Sequence, residues 1–288
     1  MRSNAGLWLA AAAVALWAIL APLGVALQHV PPLLLTGLSL LVGGLVALPF
    51  NGLHVSAWRV SWRSLALGVY GLFGFHFLLF MSLRLAPPVA ANLVNYLWPL
   101  GIVVMAPLFL PSVKWRWLYA LAAVLGFGGA GIAILSNGSN GSVTNTHHPQ
   151  ALVGYALAFG SAWIWSSYSL LSKRATHLKP GAIGSFCLVS GALSLCAHSV
   201  LEPTTVLAAQ DLFLIGLLGL GPLGGAFYLW HIALRSADAR QVGLLAFATP
   251  LLSTILLLLQ NNQAMQLPIA VATVLIISGA WIGTRVTD

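Results

Sequence analysis

The sequence repeats itself at an offset of 151 residues, at a junction between two apolar segments. Residues 82–100 correspond to residues 233–251, and each copy holds the end of one segment, a short turn and a second segment interrupted by proline. The identical pairs are Leu83/Leu234, Arg84/Arg235, Ala86/Ala237, Leu93/Leu244, Pro99/Pro250 and Leu100/Leu251. Five apolar segments separate equivalent points. Because five is odd, the two halves must cross a membrane in opposite directions, which predicts an inverted repeat.

The composition predicts a membrane protein. The chain is 59% hydrophobic and 6% charged, with a mean hydropathy of +0.95, whereas a soluble domain is about 25% charged. A helix that spans a bilayer needs about 20 apolar residues. Runs of this kind occupy residues 6–25, 33–50, 64–84, 88–110, 117–135, 151–172, 181–201, 210–234, 241–259 and 267–284. We therefore expect an all-α polytopic membrane protein whose ten transmembrane helices form two inverted five-helix repeats.

The positive charge predicts the orientation of the chain rather than a nucleic-acid partner. With ten spans, one side of the membrane receives only Arg84 of the 12 basic residues. The other side, with both termini, receives Arg2, Arg59, Arg63, Lys114, Arg116, Lys173, Arg174, Lys179, Arg235, Arg240 and Arg285. Because basic residues stay in the cytoplasm and attract anionic lipid, we expect a bacterial inner (plasma) membrane protein with cytoplasmic termini.

The midpoint of the chain is a polar segment of low complexity, SNGSNGSVTNTHHPQ, at residues 136–150. A Gly/Ser/Asn segment of this kind behaves as a flexible linker. We therefore divide the chain into a first five-helix repeat at residues 1–135, an external linker and a second repeat at residues 151–288. Other positions also align between the halves, with Trp17/Trp165 at an offset of 148 and Gly129/Gly279 at an offset of 150.

The acidic residues are few and lie at segment ends: Glu202, Asp211, Asp238 and Asp288. A cation within hydrocarbon needs a counter-charge, so a substrate that crosses here should be neutral or zwitterionic. The spans contain no paired carboxylates, zinc-ligand cluster or nucleophile–base set. We therefore expect neither an enzyme nor a bound cofactor or metal, and a membrane enzyme or an accessory protein has little support.

Aromatic and hydrogen-bonding side chains are the candidates for a binding site. Tryptophan usually lies at the membrane interface, and a single histidine can serve helix packing alone. Pro99 and Pro250 each remove a helical hydrogen bond, which kinks the helix or frees carbonyls to line a cavity. We expect a cavity between the first, third, fourth, sixth and eighth helices. Its candidate lining residues are Trp17, His76, Asn95, Tyr96, Trp98, Trp163 and Tyr228.

The ten helices, the two halves and the paired turns resemble the drug/metabolite transporter superfamily, specifically its EamA-type ten-helix carriers. Within that group, the NYLWP segment at 95–99, with Trp17, His76 and Trp163, is similar to the YddG-type aromatic amino acid exporters. The resemblance implies a central cavity that binds aromatic or hydrophobic amino acids and exports them by alternating access. The four-helix members of the superfamily use a membrane glutamate, which this chain lacks.

Two functional hypotheses remain open at this point. The first is an exporter of aromatic or large neutral amino acids, and the second is a broader metabolite or drug exporter of the same superfamily. Aromatic rings offer apolar area and attract an ammonium group through their faces. Movement down a gradient is expected, with His76 as the one titratable alternative near the cavity. We expect the protein to act as a monomer in contact with lipid.

Overall fold

The computed structural model describes residues 2–52, 54–109, 117–139, 150–174, 181–236, 245 and 248–284. The predicted linker at 136–150 lies largely outside the described residues, as does the predicted turn of the second half at 237–244. The basic segments at 110–116 and 175–180 also lie outside them.

Every regular element in the described part of the chain is helical. An apolar helix satisfies its backbone hydrogen bonds within its own segment, which hydrocarbon surroundings require. Proline is the first residue of α3 and of α8, at Pro32 and Pro88, where no amide donor is needed. The helices of the first half are α1 (Arg2–Ala18), α2 (Leu20–Ala26), α3 (Pro32–Leu45), α4 (Leu48–Asn51), α5 (Val55–Trp58), α6 (Trp62–Val69), α7 (Phe75–Leu85), α8 (Pro88–Asn95), α9 (Trp98–Phe109) and α10 (Trp117–Ser139).

The second half follows the same order with fewer interruptions. Its helices are α11 (Ala151–Arg174), α12 (Ala182–Leu201), α13 (Ala209–Leu220), α14 (Ala226–Ser236), α15 (Ala248–Gln260) and α16 (Leu267–Thr284). Among the described residues, four continuous helical stretches are long and apolar enough to cross a membrane: Ala5–Ala26, Trp62–Leu85, Ala182–Leu201 and Ala209–Trp230. Large apolar side chains remain exposed on the outer surface of the bundle, as expected for a surface that contacts lipid.

Two helix breaks follow from proline. Pro22 has no amide proton to donate to the Ala18 carbonyl, and α1 ends at Ala18. Pro99 likewise cannot donate to the carbonyl of Asn95, where α8 ends, and α9 begins at Trp98. The break at Pro99 was predicted from the sequence. The break before Pro22 was not, because residues 6–25 were expected to form one continuous helix.

A π-helical turn interrupts each half at the same point of the repeat. Tyr70–Gly74 separates α6 from α7, and Gly221–Gly225 separates α13 from α14, at an offset of 151. Single π-helical turns within α-helices are rare and are often found at functional sites. The turns end two residues before two equivalent positions, His76 and Phe227.

The two halves pack against each other reciprocally. The equivalent helices α3 and α12 contact each other, and so do α10 and α16. Helix α1 packs on α14 while α11 packs on α7, so each contact has its counterpart with the halves exchanged. This is the pattern of an interface with two-fold symmetry.

Glycine allows the close contact between α10 and α16. A β-carbon on Gly129 would lie 2.8 Å from the Ala272 carbonyl oxygen, and one on Gly279 would lie 2.7 Å from the Ala122 carbonyl oxygen. Close helix packing of this kind stabilises membrane bundles, in which the hydrophobic effect between helices is absent. A β-carbon on the neighbouring Gly128 would meet no other helix within 4 Å, because that position faces outward.

We expect the Gly129→Val variant to be destabilised because its side chain would force α10 and α16 apart. Overpacking of this kind typically costs about 1–3 kcal/mol. Thermal unfolding in detergent should show a lower Tm for Gly129→Val and a nearly unchanged Tm for the matched control Gly128→Val. Equal Tm values for the two variants would contradict the packing described for α10 and α16.

Candidate functional site

A cavity of about 490 Å³ lies where the broken helices of the first half meet the second half. Its walls come from α1, α2, α7, α8, α9, α11, α14 and α15, together with Tyr96 between α8 and α9. The lining residues are Trp17, Leu20, Ala21, Phe75, His76, Asn92, Asn95, Tyr96, Trp98, Trp165, Phe227 and Thr249.

One wall of the cavity is a continuous row of aromatic rings. The ring centroid of Trp165 lies 4.9 Å from that of Phe75 and 5.5 Å from that of Phe227. Phe227 in turn lies 5.9 Å from Trp17, which lies 5.2 Å from Trp230. These separations are within the range of favourable ring pairs. The row draws on helices of both halves, so it joins the halves as well as lining the cavity.

His76 offers an acceptor to the cavity. The side chain is 1% exposed, and Nδ1 lies 2.7 Å from the Leu72 carbonyl oxygen. A carbonyl can only accept, so Nδ1 carries a proton and donates it. In the neutral ring, Nε2 is then left with a lone pair. The histidine can therefore accept a hydrogen bond from a ligand.

Two asparagines on one face of α8 provide the amide groups of the cavity. Asn92 Nδ2 donates to the Ser253 hydroxyl at 2.9 Å, and the Ser161 hydroxyl donates to Asn95 Oδ1 at 2.8 Å. Asn92 and Asn95 are 1% and 3% exposed. Both serines belong to the second half of the chain, so each amide is held from across the interface between the halves.

The residues that line the cavity carry no formal charge. Two acidic residues of the described chain have partners at the ends of helices. Asp211 lies 3.0 Å from His29, and Glu202 lies 2.9 Å from His198 and accepts from the amide of Leu33 at 2.9 Å. The cavity can therefore hold a molecule with an apolar ring and polar groups, provided that its net charge is close to zero.

The structure brings together five of the seven residues that the sequence suggested: Trp17, His76, Asn95, Tyr96 and Trp98. Trp163 does not line the cavity. It is 50% exposed and lies beside Phe127 and Phe159 in a separate apolar recess. Trp165 is two positions further along α11, about 200° around the helix, and faces inward instead.

Tyr228 also lies outside the cavity. It is buried beside Gly184 and Cys187 of α12, while its neighbour Phe227 lines the cavity. Successive residues of a helix point about 100° apart. Phe227 therefore faces the cavity, whereas Tyr228, the next residue of α14, packs against α12.

Several lining residues were not among the candidates from the sequence, although the internal repeat could have identified them. Trp165, Phe227 and Thr249 are the repeat equivalents of Trp17, His76 and Trp98, at offsets of 148, 151 and 151. Equivalent positions from the two halves thus face the same space, as in a site at a repeat interface. Asn92 could have been identified as a lining residue because it lies one turn before Asn95, on the same helix face.

Comparison with known proteins agrees with this architecture. The sequence profile of the EamA-like transporter family matches the chain twice, over residues 4–135 and 152–284. The chain belongs to the EamA-like transporter family. With its apolar helices, this makes it a multi-pass membrane protein whose known relatives are transporters.

Several relatives of this EamA-like transporter have names that state a substrate. The aromatic amino acid exporter YddG of Ancylobacter novellus is 37% identical over 275 residues, which cover 94% of each chain. The aromatic amino acid exporter YddG of Escherichia coli strain K12 is 24% identical over 208 residues, or 68% of each chain. A crystal structure of a protein 35% identical to this chain superimposes with a TM-score of 0.74 and covers 100% of both chains.

The two tryptophans of α11 provide a matched test of the cavity. We expect Trp165→Ala to weaken the binding of a small aromatic probe, indole, because it removes ring contacts worth about 1 kcal/mol, or a factor of about five in Kd. Trp163→Ala should leave Kd unchanged. Isothermal titration calorimetry of purified protein measures both values. A larger loss for Trp163→Ala would contradict the inward face assigned to α11.

Proposed function

We propose that this protein exports aromatic or large neutral amino acids across the bacterial inner membrane by alternating access through the cavity. The observation that carries this proposal is the row of Trp17, Phe227, Trp165 and Phe75, which lines one wall with rings from both halves. Such a wall binds the side chain of an aromatic amino acid by burial and by ring contacts. The named exporters among the relatives support the same substrate class.

The proposed architecture is a pair of inverted repeats of five transmembrane helices each, at residues 1–135 and 151–288. Three observations support it: the reciprocal packing of the halves, the π-helical turns at an offset of 151, and the two separate family matches. In this arrangement α1 with α2, α6 with α7, α8 with α9, and α13 with α14 each form one span. The segment at 136–150 links the halves on the outer side.

The proposed orientation has both termini in the cytoplasm. Of the 12 basic residues, all but Arg84 would then be cytoplasmic, in accord with the positive-inside rule. Arg84, near the outer end of α7, donates to the Val30 carbonyl at the turn before α3. That partner supports a fixed position for the one basic residue on the outer side.

We infer that transport is driven by the substrate gradient and that the protein works as a monomer. Proton-driven carriers usually have an acidic residue within the membrane, and the residues that line this cavity carry no formal charge. His76 already donates through Nδ1 to its own helix. Uphill flux driven by a pH gradient, and lost in His76→Gln, would contradict this inference.

The direct test is solute flux in proteoliposomes. We expect labelled L-phenylalanine and L-tryptophan to equilibrate faster than in liposomes without protein, and lipophilic cations to move no faster. Trp17→Ala should lower the initial rate severalfold because it opens the aromatic wall. Trp8→Ala, on the same helix but 76% exposed, is the matched control and should keep the wild-type rate.

Other outcomes would change the assignment. Flux of lipophilic cations without amino acids would favour the second candidate, a broader metabolite or drug exporter of the same superfamily. Equal losses in Trp8→Ala and Trp17→Ala would mean that these tryptophans stabilise the fold in lipid, and the aromatic cavity would lose its role.

A further inference from the structure

We propose that Asn92 and Asn95 form a subsite that recognises both charged groups of a zwitterionic α-amino acid. In this subsite the Asn92 carbonyl accepts from the α-ammonium group, and the Asn95 amide donates to the α-carboxylate. The inference rests on the proposed function and adds to it the chemical class that the polar end of the cavity selects.

Asn92 and Asn95 lie close enough together to bind the two charged groups of one small molecule. Residues three apart on a helix are surface neighbours, with about 5–6 Å between their β-carbons. Asn92 and Asn95 both line the cavity and are almost completely buried. Buried amides are costly unless they are hydrogen-bonded. Within the described part of the chain, each side-chain amide has one hydrogen-bond partner, Ser253 for Asn92 and Ser161 for Asn95, and a second polar atom remains for a ligand.

Asn92 is oriented as an acceptor. Its Nδ2 donates to the Ser253 hydroxyl at 2.9 Å, which fixes the nitrogen on the side of α15. The oxygen Oδ1 is bonded to the same carbon and points away from that partner. An amide oxygen has two lone pairs and can accept from an ammonium group.

Asn95 has the opposite orientation. Its Oδ1 lies 2.8 Å from the Ser161 hydroxyl oxygen, whose single hydrogen is shared between Asn95 Oδ1 and the Ala158 carbonyl oxygen of α11, 2.7 Å away. The NH₂ group is therefore the part of Asn95 that remains for a ligand. It has two hydrogens, both donors, and a carboxylate has only acceptors.

The charge of the cavity favours a zwitterion over an amine or an acid. None of the lining residues is formally charged, so an isolated ammonium or carboxylate would be buried without a counter-ion, which is unfavourable. A zwitterion carries both charges close together, on the same α-carbon. Neutral amide partners then bind its ends without holding them as tightly as fixed charges would, which suits a carrier that must release its substrate.

A second observation points to a polar ligand in the same space. Thr249 lines the cavity and is buried, and its hydroxyl has no hydrogen-bond partner within the described part of the chain. It lies one turn before Ser253 on α15, the residue that orients Asn92. A bound polar group would satisfy this hydroxyl.

The first experiment needs no variant. Uptake of labelled L-phenylalanine into proteoliposomes is measured in competition with unlabelled L-phenylalanine, 2-phenylethylamine and 3-phenylpropionate, which share the ring but lack one charged group or the other. We expect the amine and the acid to compete at least about tenfold more weakly, because each forfeits hydrogen bonds to a charged group.

The second experiment changes the polarity of the subsite. Asn95→Asp keeps the shape of the side chain but replaces the donor by an anionic acceptor. We expect the affinity for L-phenylalanine to fall about 10- to 100-fold and 2-phenylethylamine to become the better competitor. Ser161→Ala, which removes the positioning hydroxyl, should shift the same ratio in the same direction by a smaller factor. Ser169→Ala is the matched control, because its hydroxyl donates to the Trp165 carbonyl of its own helix.

The outcomes separate the two levels of the proposal. Flux of L-phenylalanine with equal competition by all three compounds would overturn the subsite and leave the exporter intact. An equal loss of affinity for L-phenylalanine and 2-phenylethylamine in Asn95→Asp, with Ser161→Ala and Ser169→Ala indistinguishable, would overturn it as well. The absence of amino-acid flux in the wild type would overturn the proposed function itself.

Discussion

The structure depends on how an apolar bundle satisfies the few polar groups within it. Hydrocarbon offers no hydrogen bonds, so hydroxyls and amides in a span must find partners in the protein. Most serines of α11 donate to their own helix, as Ser169 does to the Trp165 carbonyl. Ser161, which also lies 2.7 Å from the Ala158 carbonyl oxygen of its own helix, contacts Asn95 of the other half, and Ser253 contacts Asn92. The amides of Asn92 and Asn95 are therefore held only while the halves are packed together.

This dependence connects binding with movement. Alternating access requires the two halves to change their relative position. Such a change would separate Asn92 from Ser253 or Asn95 from Ser161, because each pair crosses the interface. The amides could then rotate and lose the arrangement that matches a zwitterion. A carrier built in this way would weaken its hold on the substrate as it opens, without titration of an acidic group.

The helix break between α8 and α9 places these groups at the centre of the molecule. Pro99 ends α8 at Asn95 because it cannot complete the hydrogen bond to that carbonyl. Ser166 of α11 donates to the Trp98 carbonyl at 2.8 Å, next to the break. Irregular backbone is thus stabilised by protein and lines a cavity, as required within a membrane.

Much of the fold was predictable because span length and repeat spacing leave few alternatives. The sequence indicated which helices line the cavity, but it did not show which face of each helix points into it. A soluble helix shows its inner face by a change from apolar to polar residues, whereas α11 is apolar on the cavity side and the lipid side. The local sequence pattern therefore did not separate Trp163 from Trp165, or Tyr228 from Phe227, and the predicted lining residues were Trp163 and Tyr228. Packing against neighbouring helices decided between them.

The most direct test of the central claim is an experimental structure of the protein with 4-bromo-L-phenylalanine, located by the anomalous signal of bromine. We expect bromine beside Trp17, Trp165 and Phe227, with the amino-acid end at Asn92 and Asn95. Bromine in the outer recess beside Trp163 and Phe127, with the cavity empty, would contradict it.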